Sequence, residues 1–214
     1  MYRQGRLNEI MTNLNRRGCT VEKYCKPHRK IIKPPGHRGQ YFENCILGYS
    51  LVFGIFVENT ITISCPGGCI STMCAPAISN ELKSRNVKNV LIMAGTNNLF
   101  NKQNRQLMGP VETSDELYYL AQKLLFEGLN VGIMELIPRR GHENIINRTN
   151  RCYRDVAREL DVPFFINKKF KLIHLCRDGL HPNSGDVREL ASDFRRALPQ
   201  LKHYRGTRRR RGTR

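Results

Sequence analysis

The chain has 214 residues, which is enough for one domain of ordinary size with a substantial buried core. Its formal net charge of +18 is far more than solubility requires and indicates an anionic partner. The longest nearly apolar run, residues 46–57, is too short to span a bilayer. Residues 1–13 lack the apolar centre of a secretory signal. We therefore expect a protein inside the cell, nuclear or cytoplasmic, with no membrane span.

The positive charge is concentrated at the two ends of the chain. Residues 1–40 contain ten Lys or Arg and two Glu, a net +8, and residues 202–214 contain seven Lys or Arg and no acid, a net +7. The segment between them, residues 41–201, has nineteen basic and sixteen acidic side chains, a net +3. These values predict a partly disordered basic extension over 1–40, a folded domain over 41–201 and a disordered Arg-rich tail over 202–214.

The pattern of the middle segment predicts strands that alternate with helices. The predicted strands are residues 44–49, 60–64, 87–94, 130–137 and 162–166, and the predicted helices are residues 113–127, 143–160 and 186–198. The first of these helices begins with Thr113-Ser-Asp-Glu116, a capping-box pattern, and Gly128 follows residue 127 as its left-handed cap. Strands separated by helices indicate an α/β fold of three layers, αβα, with a mainly parallel sheet of the flavodoxin-like type.

Small or hydrogen-bonding residues follow three of these strands. Ser50 follows the first, Gly67-Gly68 the second and Gly95-Thr96-Asn97 the third. In open α/β sheets ligands gather at the carboxyl ends of the strands, so these residues are candidates for a site. A serine offers a nucleophile, and a glycine N–H or an asparagine amide can donate to a developing oxyanion. Each of them is also an ordinary residue for the end of a strand.

Asp178 and His181 form the strongest local signal in the chain. The segment Asp178-Gly-Leu-His181-Pro-Asn183 places a carboxylate three residues before an imidazole on a turn. The carboxylate can accept the Nδ1–H of the ring and leave Nε2 free to take a proton. A surface turn built from good turn-forming residues is the alternative interpretation, with about equal weight.

Taken in order, these pieces resemble the sequence blocks of the SGNH (GDSL-type) hydrolases. Residues 46–51 resemble the first block, usually Gly-Asp-Ser-Leu, and Gly68 resembles the glycine of the second. Residues 95–98 resemble Gly-x-Asn-Asp, and residues 178–183 nearly match the fifth block. The resemblance covers about residues 43–200. It implies a serine ester hydrolase that acts through an acyl-enzyme and needs no metal or organic cofactor.

The resemblance also implies roles for individual residues. Ser50 would be the nucleophile, His181 the general base and acid, and Asp178 the residue that orients the histidine. The oxyanion hole would consist of the backbone N–H groups of Ser50 and Gly68 and the side chain of Asn97.

Two residues depart from the family pattern, because Tyr49 and Asn98 stand where the family has Asp. In the family the first Asp braces the nucleophile loop. We therefore expect weaker support around Ser50, and we expect Tyr49→Asp to raise the rate of ester hydrolysis.

The Arg-rich C-terminal segment predicts contact with phosphates. Six arginines fall within residues 205–214, namely Arg205, Arg208, Arg209, Arg210, Arg211 and Arg214. Arginine suits phosphate recognition, so RNA or DNA is the expected partner of the basic termini, ahead of a nuclear-import signal or a solubilising tail. Two SGNH-type domains are known in a nucleic-acid context. They are the RNA-binding domain of Oskar and the esterase domains in open reading frames of some retrotransposons. The alternative function is therefore a catalytically weak or inactive SGNH-fold nucleic-acid-binding protein.

Cysteines and histidines near the N-terminus invite a zinc interpretation. Cys19, Cys25, His28 and His37 have a spacing that fits no standard zinc finger, so we expect no metal there. We interpret the eight cysteines of the chain as reduced thiols, including those close to the expected site, Cys65, Cys69 and Cys74.

Overall fold

A seven-stranded sheet forms the centre of the molecule. The computed structural model describes residues 20–24, 29–33, 41–100, 105–183 and 186–211. The strands are β1 (Thr20–Tyr24), β2 (Arg29–Lys33), β3 (Asn44–Gly48), β4 (Thr60–Ser64), β5 (Asn89–Met93), β6 (Asn130–Met134) and β7 (Phe164–Phe165). Their order across the sheet is β1-β2-β4-β3-β5-β6-β7. The five strands from β3 to β7 pair in parallel, and β1 and β2 join β4 in antiparallel pairing.

Helices lie on both faces of this sheet. They are α1 (Ile70–Met73), α2 (Pro76–Ser84), α3 (Thr96–Leu99), α4 (Pro110–Phe126), α5 (Glu143–Glu159) and α6 (Val187–Arg211), and a 3₁₀ turn spans Leu172–His174. No helix of the described ranges is long and apolar enough to cross a membrane.

The side chains of each central strand alternate between two buried clusters. In β5, Val90 and Ile92 belong to the larger cluster with residues of α2, α4 and α5. Leu91 and Met93 face the other cluster, which includes Phe194 of α6. Each strand residue is buried because both faces of the sheet are covered, and parallel strands are usually found in this environment. The predicted three-layer αβα fold with a mainly parallel sheet is confirmed.

The N-terminal extension contributes two strands that the sequence did not predict. In β2, Ile31 pairs with Ile63 and Ile32 with Thr62, so the hairpin continues the sheet past β4. Without it β4 would be an edge strand with unpaired N–H and C=O groups. The high Lys and Arg content of residues 1–40 obscured this pattern, and the sheet therefore begins before the predicted boundary at residue 41.

The last helix is also longer than predicted. It continues through Pro199 to Arg211, and residues 212–214 lie outside the described residues. The disorder expected over residues 202–214 stays a prediction. Arginine has a high helix propensity, and here it extends a helix that already exists. The helix predicted over residues 186–198 stops directly before Pro199.

Helix α4 begins earlier than its predicted capping box. Pro110 occupies its first turn, and the Glu112 carboxylate accepts a hydrogen bond from the N–H of Gly109. The prediction that Thr113 caps the helix is therefore wrong, and Thr113 is buried inside the first turn. Gly128 has a φ of +83°, which confirms its predicted left-handed conformation after the helix.

We expect the N-terminal hairpin to protect the sheet edge. A chain that lacks residues 1–40 should unfold at a temperature lower by roughly 5 °C and should self-associate, because β4 becomes an exposed edge. Thermal scanning and light scattering after size exclusion measure both effects. The control is a chain that lacks residues 1–18 and keeps both strands. Equal melting temperature and mass for the two truncated chains would contradict this role.

Candidate active site

Ser50 lies just beyond the carboxyl end of β3, at the start of a tight turn. The N–H of Val52 donates to the carbonyl of Tyr49 at 3.1 Å, and the N–H of Phe53 donates to the carbonyl of Ser50 at 3.3 Å. The side chain of Ser64, at the end of β4, also donates to the Tyr49 carbonyl at 2.8 Å. The backbone around Ser50 is thus held from both the turn and the neighbouring strand.

The structure brings Ser50, His181 and Asp178 together, with the imidazole of His181 between the other two side chains. Ser50 Oγ is 3.3 Å from His181 Nε2, and His181 Nδ1 is 2.8 Å from Asp178 Oδ2. The other carboxylate oxygen of Asp178 accepts the N–H groups of His181 and Leu180, both at 3.0 Å. This arrangement fixes the ring with Nε2 toward the serine.

The hydrogen bonds to Asp178 keep its carboxyl group ionised. Partial burial alone would raise the pKa of Asp178, but the His181 ring and the N–H groups of His181 and Leu180 hold this pKa well below its ordinary value. A pKa depressed by folding stabilises the folded chain above the unfolded pKa. That stabilisation is lost as the pH falls through the folded pKa, so the Asp–His pair remains intact at neutral pH.

Backbone hydrogen bonds hold the segment that carries His181. The N–H of Cys176 donates to the His181 carbonyl at 2.7 Å, and the N–H of Asn183 donates to the His174 carbonyl at 2.8 Å. The N–H of Arg140 donates to the carbonyl of Gly179 at 2.9 Å. Gly179 has a φ of +64°, and a Cβ there would lie 2.7 Å from the Cβ of Arg140. A glycine is therefore required at this turn between Asp178 and the histidine.

Asn97 and Gly68 are hydrogen-bonded to each other, but only Asn97 keeps an N–H available for an oxyanion. Asn97 Nδ2 donates to the Gly68 carbonyl at 2.9 Å. The N–H of Gly68 closes a turn by donating to the carbonyl of Cys65 at 3.1 Å. Gly67 has a φ of +76° in this Cys-Pro-Gly-Gly turn, as a type II turn requires. The predicted oxyanion donor of Gly68 is therefore engaged within its own turn, whereas Asn97 keeps a second N–H.

A tyrosine of α5 packs against the backbone that leads to Asn97. The hydroxyl of Tyr153 donates to the carbonyl of Ala94 at 2.7 Å, and Tyr153 is fully buried. Gly95 has a φ of +135°, and a Cβ on it would lie 2.0 Å from the Tyr153 hydroxyl. Helix α5 thus approaches the end of β5 so closely that only a glycine fits.

Comparison with known proteins agrees with this arrangement of elements. No protein-family model matches the sequence, and no curated protein is similar to it. A GDSL-like lipase from Bacteroides thetaiotaomicron VPI-5482 is similar in structure, with a TM-score of 0.60 and 16% identity over 73% of this chain and 87% of that chain. The chain has the SGNH hydrolase fold.

Two acetyl xylan esterases share this fold. AlAXEase has a TM-score of 0.58 and 16% identity, and the match covers 71% of this chain and 97% of that chain. A variant of the enzyme from Geobacillus stearothermophilus has a TM-score of 0.53 and 13% identity, over 74% of this chain and 96% of that chain. At these identities the likeness establishes the fold.

The two departures from the SGNH pattern contact each other. Tyr49 is buried, and its hydroxyl donates to Asn98 Oδ1 at 2.8 Å. Asn98 Nδ2 donates to Glu116 Oε2 at 2.6 Å. Burial raises the pKa of Tyr49 well above its ordinary value, so the hydroxyl keeps the proton that it donates. Tyr49 and Asn98 therefore replace the expected aspartates with a complete hydrogen-bonded pair.

This geometry argues against the expectation that Tyr49→Asp raises the rate of ester hydrolysis. The shorter side chain would leave a cavity in place of a buried ring, and its carboxylate would have to be desolvated near the oxygen of Asn98. Glu116 was missed by the sequence analysis, which interpreted it as part of a helix cap. It lies 67 residues along the chain from Tyr49, and no local pattern connects the two.

A buried arginine, Arg139, interacts electrostatically with Asp178. The guanidinium of Arg139 lies 4.4 Å from the centre of the Phe100 ring, and that ring packs 4.5 Å from the ring of His142. Burial lowers the pKa of Arg139, while the negative charge of Asp178 acts in the opposite direction. Arg139 therefore adds positive charge near Asp178.

The described part of the chain contains no group of three or more His, Cys, Asp or Glu that could hold a metal ion. Cys19, Cys25, His28 and His37, the residues of the zinc interpretation, lie outside the described residues. Of the thiols near the site, burial raises the pKa of Cys74. Desolvation also acts on Cys69, but hydrogen bonds from Ser71 and Thr72 outweigh it and lower the pKa of that thiol.

Gly95→Ala tests the close approach of α5. The new Cβ meets the Tyr153 hydroxyl and the backbone is strained at positive φ, so the variant should lose about 1–3 kcal/mol of unfolding free energy. Urea denaturation measures the loss. Adding Tyr153→Phe removes the clashing oxygen, so the double variant should lose less than the sum of the two single losses. Strictly additive losses would show that the two residues do not interact.

Proposed function

We propose that this chain is a serine ester hydrolase in which Ser50, His181 and Asp178 form the catalytic triad. The observation that carries the proposal is the pair of contacts on His181, 3.3 Å from Nε2 to Ser50 Oγ and 2.8 Å from Nδ1 to Asp178 Oδ2. The fold that this chain shares with esterases and a lipase supports an ester as the substrate. Two structures of the Geobacillus stearothermophilus acetylxylan esterase, with a substituted serine and a substituted histidine, are described as catalytic mutants.

The first half of the reaction forms an acyl-enzyme. Ser50 Oγ attacks the ester carbonyl carbon while His181 Nε2 takes the hydroxyl proton, and the ionised Asp178 stabilises the imidazolium. The tetrahedral intermediate then collapses, its bond to the alcohol oxygen breaks, and His181 gives the proton to the departing alcohol. In the second half, water attacks the acyl group by the same proton path and releases the acid and Ser50.

Two donors are available for the oxyanion. The N–H of Ser50 donates to no acceptor among the described residues, and Asn97 has one N–H beyond the bond to Gly68. Removing one such donor typically costs about 3–4 kcal/mol of transition-state stabilisation. We assign Ser50 N–H and Asn97 to this role and leave out Gly68 N–H, because Cys65 already accepts it.

Hydrolysis of p-nitrophenyl acetate tests the proposed nucleophile. Ser50→Ala and His181→Ala should each lower kcat by about 1,000-fold or more, because members of a triad act as a unit. A fluorophosphonate probe should label the wild type at Ser50. Peptide mass spectrometry identifies the labelled residue.

Ser84→Ala is the matched control for this experiment. Ser84 is an exposed serine at the end of α2 whose hydroxyl donates to the Glu81 carbonyl, away from the site. This variant should react like the wild type. Labelling or hydrolysis that persists in Ser50→Ala would mean that another residue is the nucleophile.

The charge of the chain favours a second candidate function, binding of nucleic acid by the basic termini. Residues 1–40 and 202–214 carry +8 and +7 of the net +18. Six arginines contribute to the second value, namely Arg205, Arg208, Arg209, Arg210, Arg211 and Arg214. Such a charge would bind phosphates by counterion release, whether or not the triad is active.

Replacing the six arginines with glutamine tests this candidate. Affinity for single-stranded RNA should fall, and the slope of log affinity against log salt should flatten by about 0.7 for each lost phosphate contact. Fluorescence anisotropy at several salt concentrations measures the slope. The matched control replaces the same six residues with lysine and should retain most of the wild-type salt dependence. An unchanged slope in the glutamine variant would contradict binding through these arginines.

A further inference from the structure

The side chain of Asn98 uses both ends of its amide in hydrogen bonds. It is only 2% exposed. Its oxygen accepts the Tyr49 hydroxyl at 2.8 Å and the N–H of Ile70 at 3.0 Å. Its nitrogen donates to the Glu116 carboxylate at 2.6 Å. The amide therefore joins four separate segments of the chain at one buried point.

Two of these segments carry groups of the candidate active site, and a third contains Gly68, whose carbonyl accepts a hydrogen bond from Asn97. Tyr49 immediately precedes Ser50 after β3, and Asn98 immediately follows Asn97 after β5. Ile70 begins α1, directly after the turn that contains Gly68. The fourth segment is α4, where Glu116 also accepts the N–H of Ser71 at 3.3 Å. The turns after β3, β4 and β5 are thus fixed to each other and to one long helix.

The polarity of these bonds selects an amide at position 98. An aspartate there would oppose the Glu116 carboxylate, and two carboxylates in contact cannot both remain ionised without a large cost. An apolar residue would leave the Tyr49 hydroxyl, the Ile70 N–H and the Glu116 carboxylate without this partner. Asparagine supplies one acceptor and one donor, which is the combination that Tyr49 and Glu116 require.

We propose that Asn98 is a positioning residue that, with Tyr49 and Glu116, holds Ser50 and Asn97 at their reactive separation. The proposal rests on the proposed function, since it assigns to this network the alignment of the nucleophile with the oxyanion donor. In this proposal Tyr49 and Asn98 depend on each other through their hydrogen bond. They are not two unrelated replacements of the aspartates in the family pattern.

Asn98→Asp is the first test, with p-nitrophenyl acetate as the substrate. Repulsion from Glu116 should displace the turns, so kcat should fall roughly 100-fold, as expected for a misplacement of about 1 Å. KM should change by less than about threefold, because this small substrate makes few contacts beyond the reacting ester. A merely structural role predicts a lower melting temperature with an unchanged kcat.

Adding Glu116→Gln to Asn98→Asp provides the rescue. The carboxylate at position 98 can then accept from the glutamine amide, from Tyr49 and from Ile70, so these three donors each have an acceptor, and only the longer bond from the Ser71 N–H loses its carboxylate oxygen. The double variant should recover kcat to within about tenfold of the wild type. Glu116→Gln alone leaves two amides face to face and should retain an intermediate rate.

Tyr49→Phe is the milder variant and preserves the buried ring. It removes the hydrogen bond to Asn98 and the backbone hydrogen bond from Gly95, so the fold should remain while kcat falls about tenfold. Tyr118→Phe is its matched control. The Tyr118 hydroxyl lies on α4 and accepts a hydrogen bond from Gln122 at 3.3 Å, so its loss should leave kcat unchanged.

Backbone amide NMR gives a second readout that does not depend on catalysis. Asn98→Asp should shift the amide signals of Ser50 and Asn97, and the double variant should return them toward their wild-type positions. Absence of hydrolysis and of fluorophosphonate labelling in the wild type would overturn the proposed function, and the amide signals would still decide the role of Asn98. The positioning role is wrong if those signals and kcat stay unchanged in Tyr49→Phe and Asn98→Asp, or if the double variant recovers neither.

Discussion

The register of three parallel strands is the constraint on which the site depends. Gly48 at the end of β3 pairs with Ser64 of β4 on one side and with Met93 of β5 on the other. A Cβ at Gly48 would lie 2.5 Å from the Met93 carbonyl oxygen, so the strands can pack this closely only around a glycine. The three strands therefore end at one level. The turns that follow them, and with them Ser50, Gly68 and Asn97, meet at one edge of the sheet.

The histidine reaches this edge by a different route. Asp178 and His181 are three residues apart, so their contact is set by one turn and its backbone bonds. The contact between Ser50 and His181 joins residues 131 positions apart and therefore depends on the tertiary packing of the domain. The orientation of the imidazole is thus a local property of the sequence, whereas its alignment with Ser50 is a property of the fold.

This difference explains how much of the molecule the sequence could predict. The strand at residues 60–64 matches its predicted bounds, and apolar runs buried on both faces located the others within a few residues. The Asp178–His181 turn was visible because its signal is local. The strands β1 and β2 were not, because their charge resembled that of a solvated tail and only pairing with β4 reveals them. No local pattern placed Glu116 beside Asn98, since long-range packing alone brings them together.

The positions that depart from the family pattern are best understood through the bonds they share. A sequence block compares one position at a time, and by that measure Tyr49 and Asn98 are each a lost carboxylate. Hydrogen bonding constrains donors and acceptors together, and here the phenol donates to the amide and the amide donates to Glu116. The carboxylate has not vanished from the site, because α4 supplies one at Glu116. Burial strengthens the dependence, since each of these groups would lose part of its compensation for desolvation if a partner changed alone.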